Sequence, residues 1–303
     1  MTRSALVALA ALVVAGVAAT ATSAPREWPD ALGGRLARIK ETGSVRIGYR
    51  ENAIPFSYVG PDGKPVGYTL DLCQAIAATI AEDLDLPPLA VDYVRVTAQD
   101  RLERVASGAV DLECGSTTDT AERRAQVAFS PVIFVTATRL AVPAASTVRS
   151  VDDLRGRKVA VVHGTTNETA MRAVDRLRKL NLELVVFDDY PAALAAVTGR
   201  EVAALAADEV LLRGLLAETG RARDLRITGE ALSFERYGIV YPRDDRALGE
   251  VVERTLRGLA ENREIAWIYE RWFVRPLPSG QRLGLPMSAQ LRRSLELIGL
   301  PPD

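Results

Sequence analysis

The stretch ECGSTTDTAERR at residues 113–124 gathers side chains suited to binding an anion. It follows a buried-strand pattern, and Asp119 and Glu122 have the spacing of a helix N-terminal capping box. The free amides of a helix start attract an anion, and Arg123 would add a planar guanidinium that matches a carboxylate. A cation in a first helical turn opposes the helix dipole, so its position favours a binding role. The alternative is a solvated Arg123, or one paired with Glu122.

A second polar residue, Asp208, follows the buried-strand pattern VAALAA. The segments RLERVASGAVDLECG and AALAAVTGREVAALAAD share one order: helix, terminal glycine, turn, buried strand and then a polar residue. In open α/β sheets, ligands bind beyond the carboxyl ends of strands, which places Ser116 and Asp208 where a ligand is expected. Asp208 would supply a negative charge there. The alternative is that Asp208 caps the helix EVLLRGLL.

Strand and helix patterns alternate along the chain and predict an α/β protein of two lobes, each an open sheet flanked by helices. The linker PAAST separates one β-α-β-α-β unit from a second that begins at KVAVV. A later strand, RYGIVY, returns the chain to the first lobe, so the lobes are joined by two crossings and a hinge. The predicted boundaries are residues 32–139 plus 234–275 for lobe 1, 140–233 for lobe 2, and 276–303 for a C-terminal tail that packs on a lobe.

Residues 1–21 have the pattern of a secretory signal peptide. An arginine precedes an apolar run at residues 5–19, and the small residues Ala19 and Ala21 form an A-x-A cleavage site. The alternative is a membrane anchor, which needs about 20 apolar residues, more than this run holds. We therefore expect an exported protein.

Export bears on Cys73 and Cys114, the two cysteines of the chain. An even pair in an oxidising compartment is typical of a disulfide. Closing a loop of about 40 residues would stabilise the fold by roughly 3–4 kcal/mol on the chain-entropy account. The alternative is that both cysteines are small buried hydrophobic residues.

Composition excludes several function classes. The 303 residues carry a formal net charge of −1, so the basic excess that nucleic-acid binding requires is missing. The sole histidine, His163, leaves little material for a Ser-His-Asp device or a histidine metal site, and we expect it to be a structural or rim residue. The sequence holds no P-loop, G-x-S-x-G or G-x-G-x-x-G motif. We therefore expect no cofactor, no metal and no nucleic-acid partner.

Eight short segments resemble the periplasmic polar amino-acid-binding proteins of ABC importers, with the glutamate/aspartate-binding branch as the best match. These segments are GYRENAIPFSY, GYTLDLC, VTAQDR, DLECGSTTDTAER, AFSPVIF, GTTNE, ALAADEVLL and WIYERWF, and the resemblance covers roughly residues 32–275. It implies a venus-flytrap fold, of periplasmic-binding-protein type II, that closes by hinge motion around one amino acid. It also implies a monomer in the periplasm whose partner is an ABC permease in the inner membrane.

The resemblance assigns ligand contacts position by position. Arg123 would hold the ligand's α-carboxylate, and Asp208 its α-ammonium. Further contacts to the α-carboxylate would come from Ser116, Thr118, Thr165 and Thr166, and contacts to a side-chain carboxylate from Arg50 and Arg101. Two arginines facing one small cavity repel each other without an acidic ligand, which favours glutamate or aspartate.

Two positions depart from the pattern of that branch. Ala98 is found where a hydroxyl residue is usual, and Tyr190 where a histidine is usual. Loss of polar contacts near the side-chain end would shift specificity toward another acidic or amide ligand, although the Tyr190 hydroxyl could compensate. The aromatic residues Tyr49, Phe56 and Tyr68 could line the cleft or pack in the core.

The expected function is a solute-binding protein, not an enzyme, that captures an acidic amino acid for a permease. The main alternative is an enzyme, because the same fold hosts periplasmic dehydratases acting on prephenate-like dicarboxylates, whose substrates also call for several arginines. A receptor module is a third option. It would require a membrane span or a signalling domain, and the sequence after the second lobe shows neither.

Overall fold

The computed structural model describes residues 33–302, so the predicted signal peptide at residues 1–21 lies outside the described residues. The helices are α1 (Gly34–Thr42), α2 (Tyr68–Asp83), α3 (Arg101–Ala106), α4 (Thr166–Arg178), α5 (Tyr190–Thr198), α6 (Glu209–Glu218), α7 (Arg246–Glu261), α8 (Glu264–Phe273) and α9 (Ala289–Glu296). The strands are β1 (Ser44–Tyr49), β2 (Asn52–Ala53), β3 (Ser57–Val59), β4 (Pro65–Val66), β5 (Ala90–Arg95), β6 (Leu112–Glu113), β7 (Val127–Phe129), β8 (Phe134–Pro143), β9 (Lys158–Val162), β10 (Glu183–Phe187), β11 (Ala204–Asp208), β12 (Leu225–Thr228), β13 (Phe234–Tyr237) and β14 (Val240–Pro242). Within residues 33–302, no helix is both long and apolar enough to span a bilayer.

Two separate open sheets confirm the predicted α/β architecture of two lobes. The first sheet has the strand order β5-β1-β6-β14-β7, and the second has the order β10-β9-β11-β8-β12 with β13 paired to β8. Strand β1 runs parallel to β5 and β6, and β9 runs parallel to β10 and β11. Parallel neighbours require helical crossovers, which explains the alternation of helix and strand patterns in the sequence. Each lobe therefore offers the carboxyl ends of parallel strands, where ligands bind in such sheets.

The chain crosses between the lobes twice, at residues 130–133 and 238–239. The crossings lie side by side, because the Ser130 amide donates to the Ile239 carbonyl over 2.9 Å. Strands β8 and β13 then continue into the second lobe as a paired antiparallel ribbon. The chain thus changes sheet several residues before the predicted boundary at 139/140 and several residues after the one at 233/234. Sequence alone does not show where a long strand passes from the hinge into a lobe.

The predicted disulfide between Cys73 and Cys114 is confirmed, with a Cα–Cα distance of 6.4 Å. It links α2 to the residue that follows β6, two positions before Ser116. Both cysteines are fully buried. The covalent link therefore supports the base of one predicted ligand-binding loop.

Aromatic rings pack at the junction of the two lobes. The Phe56 ring meets those of Phe134, Tyr237 and Phe273 edge-on, with centroid distances of 4.9, 5.1 and 5.5 Å. Phe56 and Tyr68 are both fully buried. Core packing, rather than lining of the cleft, is therefore the role of these two rings.

The C-terminal tail contacts elements of both lobes. The Leu285 amide donates to the Phe273 carbonyl of α8 over 2.8 Å, and the Ser279 hydroxyl donates to Glu218 of α6 over 2.5 Å. Helix α9 buries Leu291 and lies against the long strand β8. The tail thus spans the two lobes beside β8, whereas sequence analysis predicted packing on a single lobe.

Candidate ligand-binding site

The predicted ligand contacts converge between the lobes. The first lobe supplies Arg50 after β1, Arg101 at the start of α3, and the loop after β6 with Ser116, Thr118 and Arg123. The second lobe supplies Thr165 and Thr166 at the start of α4, Tyr190 at the start of α5, and Asp208 at the end of β11. Arg123 and Thr166 are partly buried, and each of the other residues is at most 7% exposed.

Arg123 joins the two lobes directly. Its guanidinium donates to the Thr118 carbonyl over 2.8 Å, and across the cleft to the Gly164 carbonyl over 3.1 Å. It lies in a short 3₁₀ turn, Arg123–Ala125, so the predicted α-helix with Asp119 as its N-cap is wrong. The physical reason is length, because β7 already begins at Val127 and leaves no room for an α-helix.

Asp119 has another role than the predicted cap. Its carboxylate accepts two hydrogen bonds from the Arg124 guanidinium, each at 2.6 Å. Arg124 is therefore ion-paired, although its side chain is 54% exposed. This bidentate pair holds the loop and leaves the neighbouring Arg123 side chain directed at the cleft.

Three guanidinium groups crowd the site. Burial, and then the nearby Arg101, lower the pKa values of Arg50 and Arg123 to about 10. Both groups remain protonated near neutral pH, so they keep their charge in a poorly solvated place. The Arg50 Nη1 and Arg101 Nε atoms are buried and have no hydrogen-bond partner among the described residues. Buried donors without partners are costly, which favours an anion bound between these two arginines.

The hydroxyl protons of Thr165 and Thr166 are used within the protein. Thr165 donates to the Val162 carbonyl over 2.6 Å and caps α4 by accepting from the Glu168 amide, while Thr166 donates to Glu235 over 2.7 Å. Neither hydroxyl can then donate to the carboxylate of a ligand, because each has a single proton. The Thr166 backbone amide at the start of α4 has no acceptor within the described residues. This amide is therefore the donor that the helix start can offer to an anion.

Asp208 does not cap α6, since its carboxylate makes no bond to that helix start. One oxygen accepts from the Tyr237 hydroxyl, and the other accepts from the Asn167 amide over 2.8 Å. Burial, followed by repulsion from Glu235, raises the pKa of Asp208 to about 7. A bound ammonium group would relieve both effects, so this carboxylate is well suited to a cationic partner.

Two acidic residues near the arginines were missed by sequence reasoning. Glu113 is fully buried, accepts from the Thr117 hydroxyl over 2.7 Å, and keeps its Oε1 atom without a partner among the described residues. Glu235 is 2% exposed and accepts from Ser233 and Thr166. A charged residue in the buried-strand pattern DLEC was a usable signal for Glu113. For Glu235 the pattern misled, because the neighbouring Phe234 is 73% exposed.

The positions that depart from the resembled branch also lie at the cleft. Tyr190 is 4% exposed, and burial together with the Asp208 charge raises its pKa, so its phenol stays protonated. Ala98 is 4% exposed, and its carbonyl lies where a Cβ on Gly164 would approach to 2.8 Å. Gly164 has φ +73°, so both its backbone conformation and this close approach between lobes favour glycine. His163 lies at the rim with a 57% exposed side chain.

The site thus offers both charges of a zwitterion. Arg50, Arg101 and Arg123 supply positive charge, while Asp208 and Glu235 supply negative charge on the opposite lobe. Among residues 33–302, no cluster of His, Cys, Asp and Glu is arranged to hold a metal ion. The arrangement suits the capture of a small molecule with separated positive and negative groups.

Comparisons with known proteins place this geometry in context. The family described as bacterial extracellular solute-binding proteins, family 3, matches residues 45–275. The chain is 36% identical to the L-glutamate/L-aspartate-binding protein of Pseudomonas aeruginosa over 294 residues, which cover 96% of each chain. It is 31% identical to the glutamate/aspartate import solute-binding protein of Escherichia coli over 270 residues, covering 89% of this chain and 88% of the relative. A solved ancestral arginine-binding protein bound to arginine is similar with a TM-score of 0.69 and 26% identity, covering 76% of this chain and 98% of that one.

Proposed function

Because the chain belongs to the bacterial extracellular solute-binding proteins of family 3, we propose that it captures glutamate or aspartate for an ABC importer. The relatives in Pseudomonas aeruginosa and Escherichia coli are named for these two amino acids and match the chain over most of its length. The family and these relatives are binding proteins. The chain is accordingly a binding protein and not a dehydratase.

The observation that most directly supports an acidic ligand is the pair Arg50 and Arg101. Both are 3% exposed, they repel each other, and each keeps a buried guanidinium nitrogen without a partner among the described residues. A ligand side-chain carboxylate placed between them would satisfy these donors and offset the repulsion. A neutral amide would satisfy fewer donors and leave the repulsion in place.

The ligand's head group would span the two lobes. Its α-carboxylate would lie against Arg123 and Ser116 of the first lobe and against the amides that begin α4 of the second lobe. Its α-ammonium would lie against Asp208. Contacts to both lobes favour the closed arrangement, so ligand capture and lobe closure would stabilise each other.

The same family supports a proposal for location and partners. The chain would act in the periplasm as a monomer and present its closed, loaded form to a permease in the inner membrane. The predicted signal peptide at residues 1–21 would direct export. The chain mass of the mature protein from a periplasmic extract tests export and removal of the signal peptide. The mass of the particle in solution tests whether the protein is a monomer.

Isothermal titration calorimetry on the exported chain tests the proposed ligand. Glutamate or aspartate should bind more tightly than glutamine and asparagine by about tenfold or more, because the amides cannot neutralise Arg50 and Arg101. Arginine should not bind, since its side chain would add a cation to this cluster. Equal affinity for acids and amides, or a preference for arginine, would contradict an acidic ligand.

A further inference from the structure

Glu235 is a buried charge that the proposed ammonium contact does not require. It lies on β13, in the ribbon that continues from the hinge, and is 2% exposed. One carboxylate oxygen accepts from the Ser233 hydroxyl and the other from the Thr166 hydroxyl over 2.7 Å. A carboxylate buried with two hydroxyl donors fixes the direction in which their protons point.

The proton directions can be followed along the network. The Ser233 proton goes to Glu235, so the 2.6 Å contact between Ser233 and Thr138 must be donated by Thr138. Thr138 in turn accepts from the Asn167 amide over 2.7 Å, and Asn167 also donates to Asp208. Asn167 therefore donates toward both carboxylates, directly to Asp208 and through Thr138 and Ser233 to Glu235. Both carboxylates act as acceptors.

The same reasoning fixes the contact between the lobes. Thr118 of the first lobe and Thr166 of the second have their hydroxyl oxygens 3.4 Å apart, and either could donate on distance alone. Since Thr166 gives its proton to Glu235, Thr118 must be the donor. The order across the cleft is Thr118 to Thr166 to Glu235.

We propose that Glu235 is a positioning residue that latches the closed lobes: it holds the Thr166 hydroxyl so that its lone pairs face the first lobe and receive the Thr118 proton. This latch rests on the proposed function, because it adds to closure around a bound amino acid. It also assigns the Thr118 hydroxyl to the latch, leaving the ligand α-carboxylate to Arg123, Ser116 and the amides of α4.

A double-mutant cycle between the lobes tests the latch. Glu235→Met removes both acceptors at similar length, and Thr118→Val removes the donor. Calorimetry with L-glutamate should show that each variant loses about tenfold or more in affinity. The double variant should lose less than the product of the two single losses, by about tenfold, because both changes break one hydrogen-bonded chain.

Matched variants separate the latch from a folding role. Glu235→Gln keeps one acceptor oxygen and should recover part of the affinity that Glu235→Met loses. Arg236→Gln, on the same strand but exposed, should bind like the wild type. Thr166→Val removes the middle of the chain and should show the same coupling with Thr118→Val, which keeps the test informative if Glu235→Met folds poorly.

Failure of the latch and failure of the proposed ligand would give different results. Losses that multiply in the double variant, with Glu235→Met also lowering the unfolding temperature of the ligand-free protein, would overturn the latch and leave Glu235 a folding role. If the wild type binds glutamine or arginine instead of an acid, the proposed ligand fails, and the same cycle run with that amino acid still decides the latch.

Discussion

At the scale of single residues, the site depends on where each charge can find a partner. Arg123 donates to carbonyls of both lobes, and Asp208 accepts from Tyr237 and Asn167. Each of these groups is held in place while retaining the capacity to bind an opposite charge. The predictions at this scale therefore concern affinity rather than folding.

Replacing Arg123 with alanine should reduce affinity for every amino-acid ligand by about a hundredfold or more. The change removes the guanidinium that the α-carboxylate would share, whatever the ligand side chain, and also the contact with Gly164. Calorimetry with glutamate and aspartate checks this, with Arg236→Ala, at an exposed position of β13, as the control. Retained affinity in Arg123→Ala would contradict the role of Arg123.

Replacing Arg50 or Arg101 with methionine should weaken the binding of acidic amino acids more than the binding of their amides. Each arginine would meet the ligand's side-chain carboxylate, so its loss should cost glutamate and aspartate about tenfold more than glutamine and asparagine. Competition calorimetry across the four ligands measures the ratio. Equal losses for acids and amides would show that these arginines do not read the side chain.

Affinity should rise with pH through the neutral range. Asp208 has a pKa raised to about 7, so it is largely protonated at lower pH, whereas an ammonium ligand requires the ionised form. Binding should therefore release a proton near neutral pH, and affinity should fall roughly tenfold per pH unit well below the pKa. Calorimetry in buffers of different ionisation enthalpy detects the released proton. No release near neutral pH would contradict the assignment of Asp208 to the ammonium group.

At the scale of elements, regular strands and helices were predictable, and the binding loop was not. Buried-strand patterns such as VAALAA have a clear period, and β11 follows them. The helix predicted after Asp119 failed because β7 begins at Val127 and leaves room only for a short 3₁₀ turn. No local pattern encodes the contact of Arg123 with Gly164 of the other lobe. Strand β13 misled in another way, since the apolar Phe234 is exposed and the charged Glu235 is buried.

One buried ion cluster attaches α1 to the first sheet. Asp111 is fully buried, accepts from the Arg46 amide over 2.7 Å, and is surrounded by the guanidinium groups of Arg35, Arg38 and Arg46. Asp111→Ala should lower the free energy of unfolding by about 3 kcal/mol or more, because it leaves arginine charge partly buried without a counterion.

Urea unfolding measures this loss, and Asp152→Ala provides the matched control. Asp152 pairs with Arg178 at the surface, with its own side chain 53% exposed, so its removal should cost less than about 1 kcal/mol. Similar losses for both variants would contradict the stabilising role of the Asp111 cluster.

At the scale of the whole molecule, the two lobes were predictable from the repeated β-α-β order. The position of the hinge could not be predicted, because β8 and β13 continue the crossings as a paired ribbon and hide the change of sheet. The partners of the buried acids were also beyond sequence reasoning. Glu235 meets Thr166 only because the fold brings residues 69 positions apart together.

A crystal structure of the exported chain with L-glutamate tests the account most directly. The α-carboxylate should lie within about 3.2 Å of the Arg123 guanidinium and the Thr166 amide, and the ammonium within the same distance of Asp208. The side-chain carboxylate should lie between Arg50 and Arg101. A glutamate bound with its side-chain carboxylate away from these two arginines, or with its ammonium away from Asp208, would contradict the account.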